Sequence, residues 1–277
     1  MIPTEEKWIE VRVTGAKNRD AVVAALFAEG SLGVQENGDA IVTHFPASAD
    51  LSALRALISG TNPDASISID PAVLPEVLDW QGTVRRQIVG ALTIAPPWLA
   101  RDLDPQTTIV IEPAMAFGTG DHPTTRGVLR LMQTTSLRDK VVADLGAGSA
   151  ILAIAAAKLG ARKVVAVELD PDASGNANEN IARNAVQDRV HYIEGDAFAI
   201  LPLVAPVGFV FANILSSVLI DLLPAIRDSL EDPGKAILSG ILADERPTML
   251  QALHNNEWNI DDEDFEGEWW SVLISRA

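Results

Sequence analysis

The sequence predicts an α/β protein whose larger domain is built on a mostly parallel sheet, with a small α+β domain before it. Three observations indicate this arrangement. Strands and helices alternate from Lys140 onward, a glycine-containing turn joins the first of these strands to a helix, and a βαββαβ pattern occupies the first 70 residues. Because repeated βα units place their strands parallel in one sheet, the second part of the chain should form the larger domain.

Hydrophobic periodicity predicts the small domain over residues 1–70. Half-buried strands are expected at 8–13, 33–36, 40–45 and 66–69, with helices at 20–30 and 51–58. Asn37-Gly38 is a strong hairpin signal, and Asp20 is a plausible helix N-cap. The order is the ferredoxin-like pattern. Because no catalytic cluster lies in it, we expect a substrate-recognition domain; the alternative is a purely structural appendage.

The rest of the chain divides into a linker and connecting segment, residues 71–100, and a catalytic domain, residues 101–277. Pro71 and Pro75 mark the linker. In the catalytic domain, strands are predicted at 140–146, 163–169, 190–193, 208–213 and 235–239, and helices at 149–160, 171–185, 216–230 and 243–255. The last strand, 269–275, follows its partner without a helix, so we expect an antiparallel hairpin at the sheet edge.

The composition limits the classes of partner. Lys and Arg total 21 against 38 Asp and Glu, which gives a formal charge of −17. Such a surface argues against direct nucleic-acid binding and suits a basic protein partner, although solubility alone is an equal alternative. With no cysteine, disulfides and thiolate metal sites are excluded. No signal peptide or membrane span is indicated, so we expect a cytoplasmic monomer.

Residues Asp144 to Ala150, here named the glycine turn, indicate a nucleotide-like cofactor. Gly146 and Gly148 allow a ligand to approach the backbone closely. The third position of a dinucleotide fingerprint is Ile151, which weakens an NAD interpretation, and no Lys-Ser/Thr follows as in a P-loop. S-adenosylmethionine (SAM) remains, with a structural turn as the alternative. Asp144 would order the turn or meet the ammonium group of the cofactor.

Polar residues end three of the following strands. Glu168 is placed to accept hydrogen bonds from both ribose hydroxyls, as acidic residues also do in NAD enzymes. Asn213 offers an amide beside the reacting centre, where it would orient a substrate amine; the alternative is a cap for helix 216–230. Asp196 would meet the adenine amino group, with a simple turn as the alternative.

The stretch from Phe117 to Thr125 combines glycines, an aromatic ring and hydroxyl groups just before the first large-domain strand. We expect it to form a lid over the cofactor. Asp121 and His122 within it are titratable, but such a pair is more often structural. With two histidines and no cysteine nearby, a metal site is not expected.

Four motifs together resemble one known family. They are Ala116-Phe-Gly-Thr-Gly-Asp-His-Pro-Thr-Thr125, Asp144-Leu-Gly-Ala-Gly-Ser-Ala-Ile-Leu-Ala153, Glu168-Leu-Asp-Pro171 and Ala212-Asn-Ile-Leu215. They resemble the bacterial ribosomal protein L-eleven methyltransferases, and the resemblance extends over nearly the whole chain. The first motif is much more specific than the glycine turn.

The resemblance implies a class I, Rossmann-like SAM-dependent methyltransferase. Its substrate would be the basic stalk-base protein of the large ribosomal subunit, methylated on lysine side chains and on the N-terminal amine. The small domain would grip that substrate. The resemblance implies cofactor contacts at Phe117, Gly118, Thr125, Gly146, Glu168 and Asn213. The residue types and their positions, considered above, add Asp144, Gly148 and Asp196 as predicted cofactor contacts.

Ala150 departs from the family pattern, which usually has a third glycine there, and we expect its methyl group to crowd the turn. Two alternatives remain at this point. One is a lysine methyltransferase for a different protein. The other is a SAM-binding module without catalytic activity.

Overall fold

The chain forms two compact units, Met1–Val84 and Arg85–Ala277. The computed structural model describes residues 8–31, 33–38, 40–49, 51–63, 65–71, 84–113 and 118–277. Residues 85–100, predicted to connect the domains, belong to the second compact unit. Within the described ranges, no helix is both long and apolar enough to span a membrane.

The first unit is a four-stranded antiparallel sheet packed against two helices. Its elements are β1 Trp8–Thr14, α1 Arg19–Ala28, β2 Val34–Asn37, β3 Ala40–Pro46, α2 Leu51–Thr61 and β4 Ser66–Pro71. The strand order β2-β3-β1-β4 confirms the predicted ferredoxin-like pattern. Strand residues such as Val11, Val13 and Ile41 meet helix residues in a core of their own. The N-cap of α1 is Asn18 rather than the predicted Asp20, since the Asn18 side chain accepts from Ala21 N–H.

The second unit contains two sheets and six helices among its described residues. The strands are β5 Gln87–Val89, β6 Leu92–Ala95, β7 Thr108–Val110, β8 Val141–Leu145, β9 Lys163–Glu168, β10 Val190–Glu194, β11 Val207–Asn213, β12 Leu230–Leu242, β13 Trp258–Glu266 and β14 Trp269–Arg276. The helices are α3 Pro123–Met132, α4 Ile151–Lys158, α5 Ser174–Arg183, α6 Ala197–Val204, α7 Ser216–Ser229 and α8 Arg246–Asn255. Single 3₁₀ turns occupy Pro97–Leu99 and Pro171–Ala173.

The large sheet has the order β10-β9-β8-β11-β12-β14-β13. Its first five strands are parallel, and β14 pairs antiparallel with both β12 and β13. This confirms the predicted parallel sheet with an antiparallel edge hairpin. The chain passes from β8 outward to β10 and then returns to the other side of β8. Ligands of such folds bind where the strand order reverses, outside the carboxyl ends of the strands.

Helices cover both faces of this sheet, and two cores result. Alternate residues of one strand belong to opposite cores: Val142 of β8 faces one and Ala143 the other. This explains why the central strands read as nearly continuous apolar runs in the sequence.

Two helices differ from the sequence-based expectation. Helix α6 was not predicted; it is short, and Pro202 lies inside it, which hides the helical pattern. Helix α8 begins at Arg246 rather than at residue 243, with a proline in its first turn. A proline is well tolerated there because the first-turn N–H groups have no intrahelical acceptor.

Candidate functional site

A cavity of about 600 Å³ lies at the carboxyl ends of the central strands. Its lining includes the ends of β8, β9 and β11, the starts of α6 and α7, and the closing hairpin. The lining residues are His122, Thr124, Gly146, Val167, Glu168, Leu169, Gly195, Asp196, Ala197, Phe198, Asn213, Ile214, Leu215, Val218, Gly240 and Trp269. Four of the predicted site residues, Gly146, Glu168, Asp196 and Asn213, therefore share one cavity.

Gly146 allows the glycine turn to pass close to the end of β11. It has a φ of +72°, and a Cβ placed there would lie 2.3 Å from Ile214 Cγ2. Both the backbone angle and the space therefore require glycine. The backbone N–H groups of Gly146 and Ala147 donate to Val167 O at 2.9 and 3.0 Å. These bonds hold the turn against the end of β9.

Glu168 binds the glycine turn from the neighbouring strand. Its Oε2 accepts from Gly148 N–H at 2.8 Å, and its Oε1 accepts from Leu169 N–H at 2.9 Å and Asp170 N–H at 3.0 Å. A carboxylate has about four acceptor positions, so capacity remains for a ligand hydroxyl. Glu168 thus orders the turn in addition to lining the cavity, a role that the sequence did not suggest.

Asp144 lies beneath the glycine turn and is fully buried. Neither carboxylate oxygen has a hydrogen-bond partner among the described residues. Burial raises the pKa of Asp144 to about 7; the Ala153 N–H, which approaches the carboxylate without reaching hydrogen-bond geometry, opposes this shift, and the charge of Glu168 adds to it. A buried carboxyl group without a partner is costly unless a ligand or a proton satisfies it. Asp144 is not among the residues that line the cavity.

Ala150 adopts a left-handed conformation, with φ 66° and ψ 19°, and is fully buried. Its side chain packs in one of the two hydrophobic cores of the second unit and does not line the cavity. The unusual feature of Ala150 is this backbone angle, which costs an L-residue about 1–2 kcal/mol.

Asn213 ends β11 and lines the cavity. The backbone beyond it is held by the Ile214 N–H, which donates to Ser239 O on β12 at 3.2 Å. Helix α7 begins with Leu215 as its N-cap, and no side chain caps it. Asn213 therefore does not cap this helix, contrary to the alternative considered from the sequence.

Asp196 serves as a helix cap as well as a lining residue. Its Oδ1 accepts from Phe198 N–H at 2.9 Å at the start of α6. This is an ordinary N-cap interaction. The cap gives Asp196 a structural role, and the same carboxylate also borders the cavity.

The opposite wall of the cavity contains His122 and Trp269. The two rings pack edge to face with centroids 4.8 Å apart. His122 Nδ1 lies 2.7 Å from Thr124 Oγ1 and accepts weakly from Thr124 N–H as the N-cap of α3. Burial and then the charge of Arg126 lower the pKa of His122, so its imidazole is neutral at neutral pH.

Ion pairs hold this wall in place. Arg126 of α3 binds Glu266, with Nε 3.0 Å from Oε1, and Arg130 binds Asp264 at 2.6–2.7 Å and Glu266 at 2.7 Å. Both acidic residues lie on β13, whose hairpin carries Trp269. The acidic residues 261–264 form a charge run that by sequence alone resembles a solvated loop, but they belong to β13.

Three other predicted residues, Thr125, Gly118 and Gly148, are described by the structure and do not line the cavity. Thr125 is buried, and its hydroxyl has no hydrogen-bond partner among the described residues. Gly118 has a φ of +99° and accepts a hydrogen bond from Ser149 Oγ at 2.6 Å. Gly148 contacts Glu168, as above, and Phe117 lies outside the described residues.

Sequence reasoning missed several lining residues. Trp269, Leu169, Phe198 and Val218 were not named as site residues, and His122 was treated as part of a structural pair. Among them, only Trp269 carries a visible sequence signal, since it is the first of two adjacent tryptophans. Within the described part of the chain, no three His, Asp or Glu side chains are grouped to hold a metal ion.

Comparison with known proteins gives a consistent result. A family model described as ribosomal protein L11 methyltransferase (PrmA) matches residues 79–277. The ribosomal protein L11 methyltransferase of Thermus thermophilus is 35% identical over 264 residues, covering 93% of this chain and 95% of that protein. Its namesake from Alteromonas mediterranea is 36% identical over 251 residues, covering 85% of this chain and 81% of that protein.

The fold agrees with a solved structure. The crystal structure of the ribosomal protein L11 methylase from Lactobacillus delbrueckii subsp. bulgaricus superposes with a TM-score of 0.63 at 34% identity, covering 70% of this chain and 99% of that chain. The family match, the two relatives and this structure lead to one conclusion: the chain belongs to the ribosomal protein L11 methyltransferase family.

Proposed function

We propose that this protein uses SAM to methylate amines of ribosomal protein L11, on lysine side chains and on the N-terminal amine, in the cytoplasm. The observation that carries the proposal is one cavity in which Gly146, Glu168 and Asn213 meet at the ends of three adjacent strands. Family membership supports L11 as the substrate, because the relatives are named ribosomal protein L11 methyltransferases.

The polar groups around the cavity fit SAM. Glu168 keeps acceptor capacity for a ribose hydroxyl, and Asp196 borders the same cavity and would meet the adenine amino group. Asp144 and Thr125 are buried polar groups without partners among the described residues. Such groups suit the charged amino-acid part of the cofactor, with Asp144 toward the ammonium, through water where needed.

SAM would supply an activated methyl group, and the protein would mainly position the two reactants. Asn213 would orient the substrate amine with its amide oxygen and nitrogen. The ordinary lysine pKa of about 10.4 means that the amine must lose a proton before it can react. Apolar residues of the cavity, Ile214 and Leu215 above all, would disfavour the ammonium form by desolvation.

His122 and Trp269 would form the side of the cavity next to the substrate amine. A neutral imidazole does not repel a positively charged lysine as it enters, and Trp269 adds an apolar surface. We assign neither residue a proton-transfer role. This arrangement needs no catalytic triad, since binding, orientation and desolvation supply the effect.

The first unit would recognise the basic substrate through the open face of its sheet. Glu10 and Asp70 are direct cross-strand neighbours on β1 and β4. Like charges in such positions repel each other, although Arg12 compensates Glu10 at 2.9 Å. A lysine or arginine of the substrate would relieve the repulsion, and the net charge of −17 favours its approach.

The proposal is tested by mass spectrometry of purified L11 protein incubated with this protein and SAM. We expect mass increases in steps of one methyl group, mapped to lysines and to the N-terminal amine. A second basic ribosomal protein serves as the control substrate and should stay unmodified. Methylation of the control but not of L11 would favour a lysine methyltransferase for another target.

Asn213→Ala tests the assignment at the reacting centre. Loss of an orienting hydrogen bond should lower turnover by about ten- to a hundred-fold while SAM affinity changes less. Tight SAM binding without transfer in the unaltered protein would instead indicate a non-catalytic binding module. Normal turnover of Asn213→Ala would remove the role given to this residue.

Asp70→Lys tests the recognition surface. It should raise the KM for L11 without altering SAM affinity, because it introduces a positive charge on the open face of the sheet. Glu29→Lys is a matched control: it makes the same charge change at the exposed end of α1. Equal KM values for the two variants would argue against a specific docking face.

A further inference from the structure

Three asparagines follow one another at four-residue spacing on one face of helix α5: Asn176 and Asn180 within the helix and Asn184 as its C-cap. Their amides bind the backbone that continues from β7. Asn184 both accepts from Val110 N–H at 2.9 Å and donates to Val110 O at 2.7 Å. Among the described strands β7 lies at the edge of its sheet, and the Asn184 side chain takes the place of a partner strand there.

Asn180 and Asn176 repeat the arrangement two residues later. Asn180 Oδ1 accepts from Glu112 N–H at 2.9 Å, and Asn176 Nδ2 donates to Glu112 O at 3.2 Å. Glu112 is also within 3.4 Å of Arg183. The backbone at residues 110–112 is therefore held by helix side chains just before the chain enters the segment that leads to Gly118.

Asn180 differs from Asn184 in one respect, since it also binds the glycine turn. Its Nδ2 donates to Ser149 O at 3.2 Å, and the side chain is fully buried. Ser149 in turn donates through Oγ to Gly118 O at 2.6 Å. One chain of hydrogen bonds thus joins Glu112, Asn180, Ser149 and Gly118.

The glycine turn is consequently held from two sides. Glu168 binds Gly148 N–H from the cavity side, and Asn180 binds Ser149 O from the helix side. Asn180 itself is not a lining residue of the cavity. Its amide uses its acceptor and both donors, because Nδ2 also donates to Asn176 Oδ1 at 3.2 Å. Removing it would leave buried backbone groups without partners, which is the costly case.

We propose that Asn180 is a positioning residue that fixes the glycine turn relative to Glu112 and Gly118, so that cofactor affinity depends on a side chain that does not touch the cavity. The effect on affinity rests on the proposed SAM-binding function. The positioning itself does not, because the hydrogen bonds involved join only groups of the protein.

The test compares Asn180→Ala with Asn184→Ala by hydrogen exchange in the absence of cofactor. Asn180→Ala should speed exchange in peptides covering both 111–120 and 146–151. Asn184→Ala removes an amide of the same size from the same helix face but has no bond to the glycine turn. It should speed exchange near residues 108–112 and leave 146–151 unchanged. Equal exchange at 146–151 in both variants would overturn the proposal.

Calorimetry with SAM provides the second readout. Asn180→Ala should weaken binding by about ten-fold or more, and Asn184→Ala by no more than about two-fold. If both variants lose affinity equally, the asparagines act only through general stability, and the proposal is wrong. If the unaltered protein binds no SAM, the proposed function fails, while the exchange experiment still decides the positioning role.

Ser149→Ala keeps the test decisive if Asn180→Ala does not fold. It removes only the hydroxyl that binds Gly118 O and leaves the Asn180 bond to the backbone intact. We expect faster exchange in the 111–120 peptide and a measurable loss of SAM affinity with little change in Tm. Exchange and affinity equal to those of the unaltered protein would show that the chain of hydrogen bonds does not connect the two segments.

Discussion

The two walls of the cavity are built in different ways. The turn wall, formed by the glycine turn and Glu168, is held by backbone N–H groups, and Glu168 lies only 20 residues from its partner Gly148. The hairpin wall, formed by His122 and Trp269, depends on side-chain ion pairs such as Arg126 with Glu266, 140 residues apart. The turn wall is thus local and the hairpin wall is assembled by tertiary contacts.

This difference suggests a division of tasks. Backbone donors and carboxylates of the turn wall suit the polar cofactor, whereas the aromatic hairpin wall suits the entering substrate. Changes in the turn wall should therefore act on cofactor affinity. Changes in the hairpin wall should act on turnover with the protein substrate.

The largest expected effect is on the pH dependence of stability, through Asp144. Because burial raises the pKa of Asp144 to about 7, the folded protein retains a proton that the unfolded chain releases near pH 4. Stability should therefore fall as the pH rises from about 4 to 7, by roughly 4 kcal/mol at most. Asp144→Asn should remove this slope, as urea unfolding at several pH values would show.

The control for Asp144 is a carboxylate on the surface. Asp188→Asn changes an exposed acid and should leave the slope intact. If the slope persists in Asp144→Asn, other groups produce it. Loss of SAM affinity in Asp144→Asn at pH 8 would further support contact with the cofactor ammonium.

Glu168→Ala should have the largest effect on cofactor affinity. It removes the acceptor of three backbone N–H groups and the proposed ribose contacts. We expect SAM affinity to fall about a hundred-fold, equivalent to roughly 3 kcal/mol. Calorimetry would measure it, with Glu168→Asp as the control that keeps the charge. An affinity loss below about three-fold would contradict the role of the turn wall.

Glu266→Gln tests the hairpin wall. It removes the charge that Arg126 and Arg130 share, and turnover with the protein substrate should fall several-fold while SAM affinity changes less. Stability should fall by about 1 kcal/mol, a small value because the groups are partly exposed. Steady-state kinetics and urea unfolding would measure the two effects.

The sign of the pH effect at Glu266 is opposite to that at Asp144. Hydrogen bonds from Arg126 lower the pKa of Glu266, so its contribution is present above the unfolded pKa of about 4.5 and is lost as the pH falls below it. Asp261→Asn is the matched control, since Asp261 lies on the same strand as Glu266 and pairs with Lys235 of β12. A drop in turnover of the same size in this control would argue against a specific wall.

The smallest effect is expected at Ala150. Ala150→Gly relieves a left-handed backbone at φ 66° but removes a buried methyl group, worth about 0.8 kcal/mol, so stability should change by less than about 1 kcal/mol. Ala185→Gly relieves a similar angle, φ 53°, at an exposed position without that loss, and should stabilise by about 0.5–1 kcal/mol. A larger gain at Ala150 than at Ala185 would show that its methyl group is strained.

Much of the fold followed from local patterns. Alternating strands and the hairpin signal at Asn37-Gly38 predicted the first unit, and apolar runs ending in polar residues predicted the parallel strands. Helix α6 was not predicted from the sequence, because a short segment with Pro202 inside it shows little helical periodicity. The acidic residues at 261–264 belong to a strand that their sequence does not reveal, because a charge run resembles a loop unless the partner residues, here Arg130 and Lys235, are known.

The candidate site was predicted unevenly for the same reason. Gly146, Glu168, Asp196 and Asn213 follow strands, so their common location is implied by the topology rule for parallel sheets. Trp269 lies on a strand that pairs only with distant segments, and no local pattern indicates which cavity it borders.

By itself, the sequence determined the order of the elements, the glycine turn and the strand-end polar residues, because backbone conformation and burial depend mainly on neighbouring residues. Only the tertiary structure decided that Glu168 and Asn180 hold the glycine turn from opposite sides, and that ion pairs of α3 hold the Trp269 hairpin. These contacts join residues 20 to 140 positions apart. Their geometry depends on how helices and strands pack, and it is not encoded in any single stretch of residues.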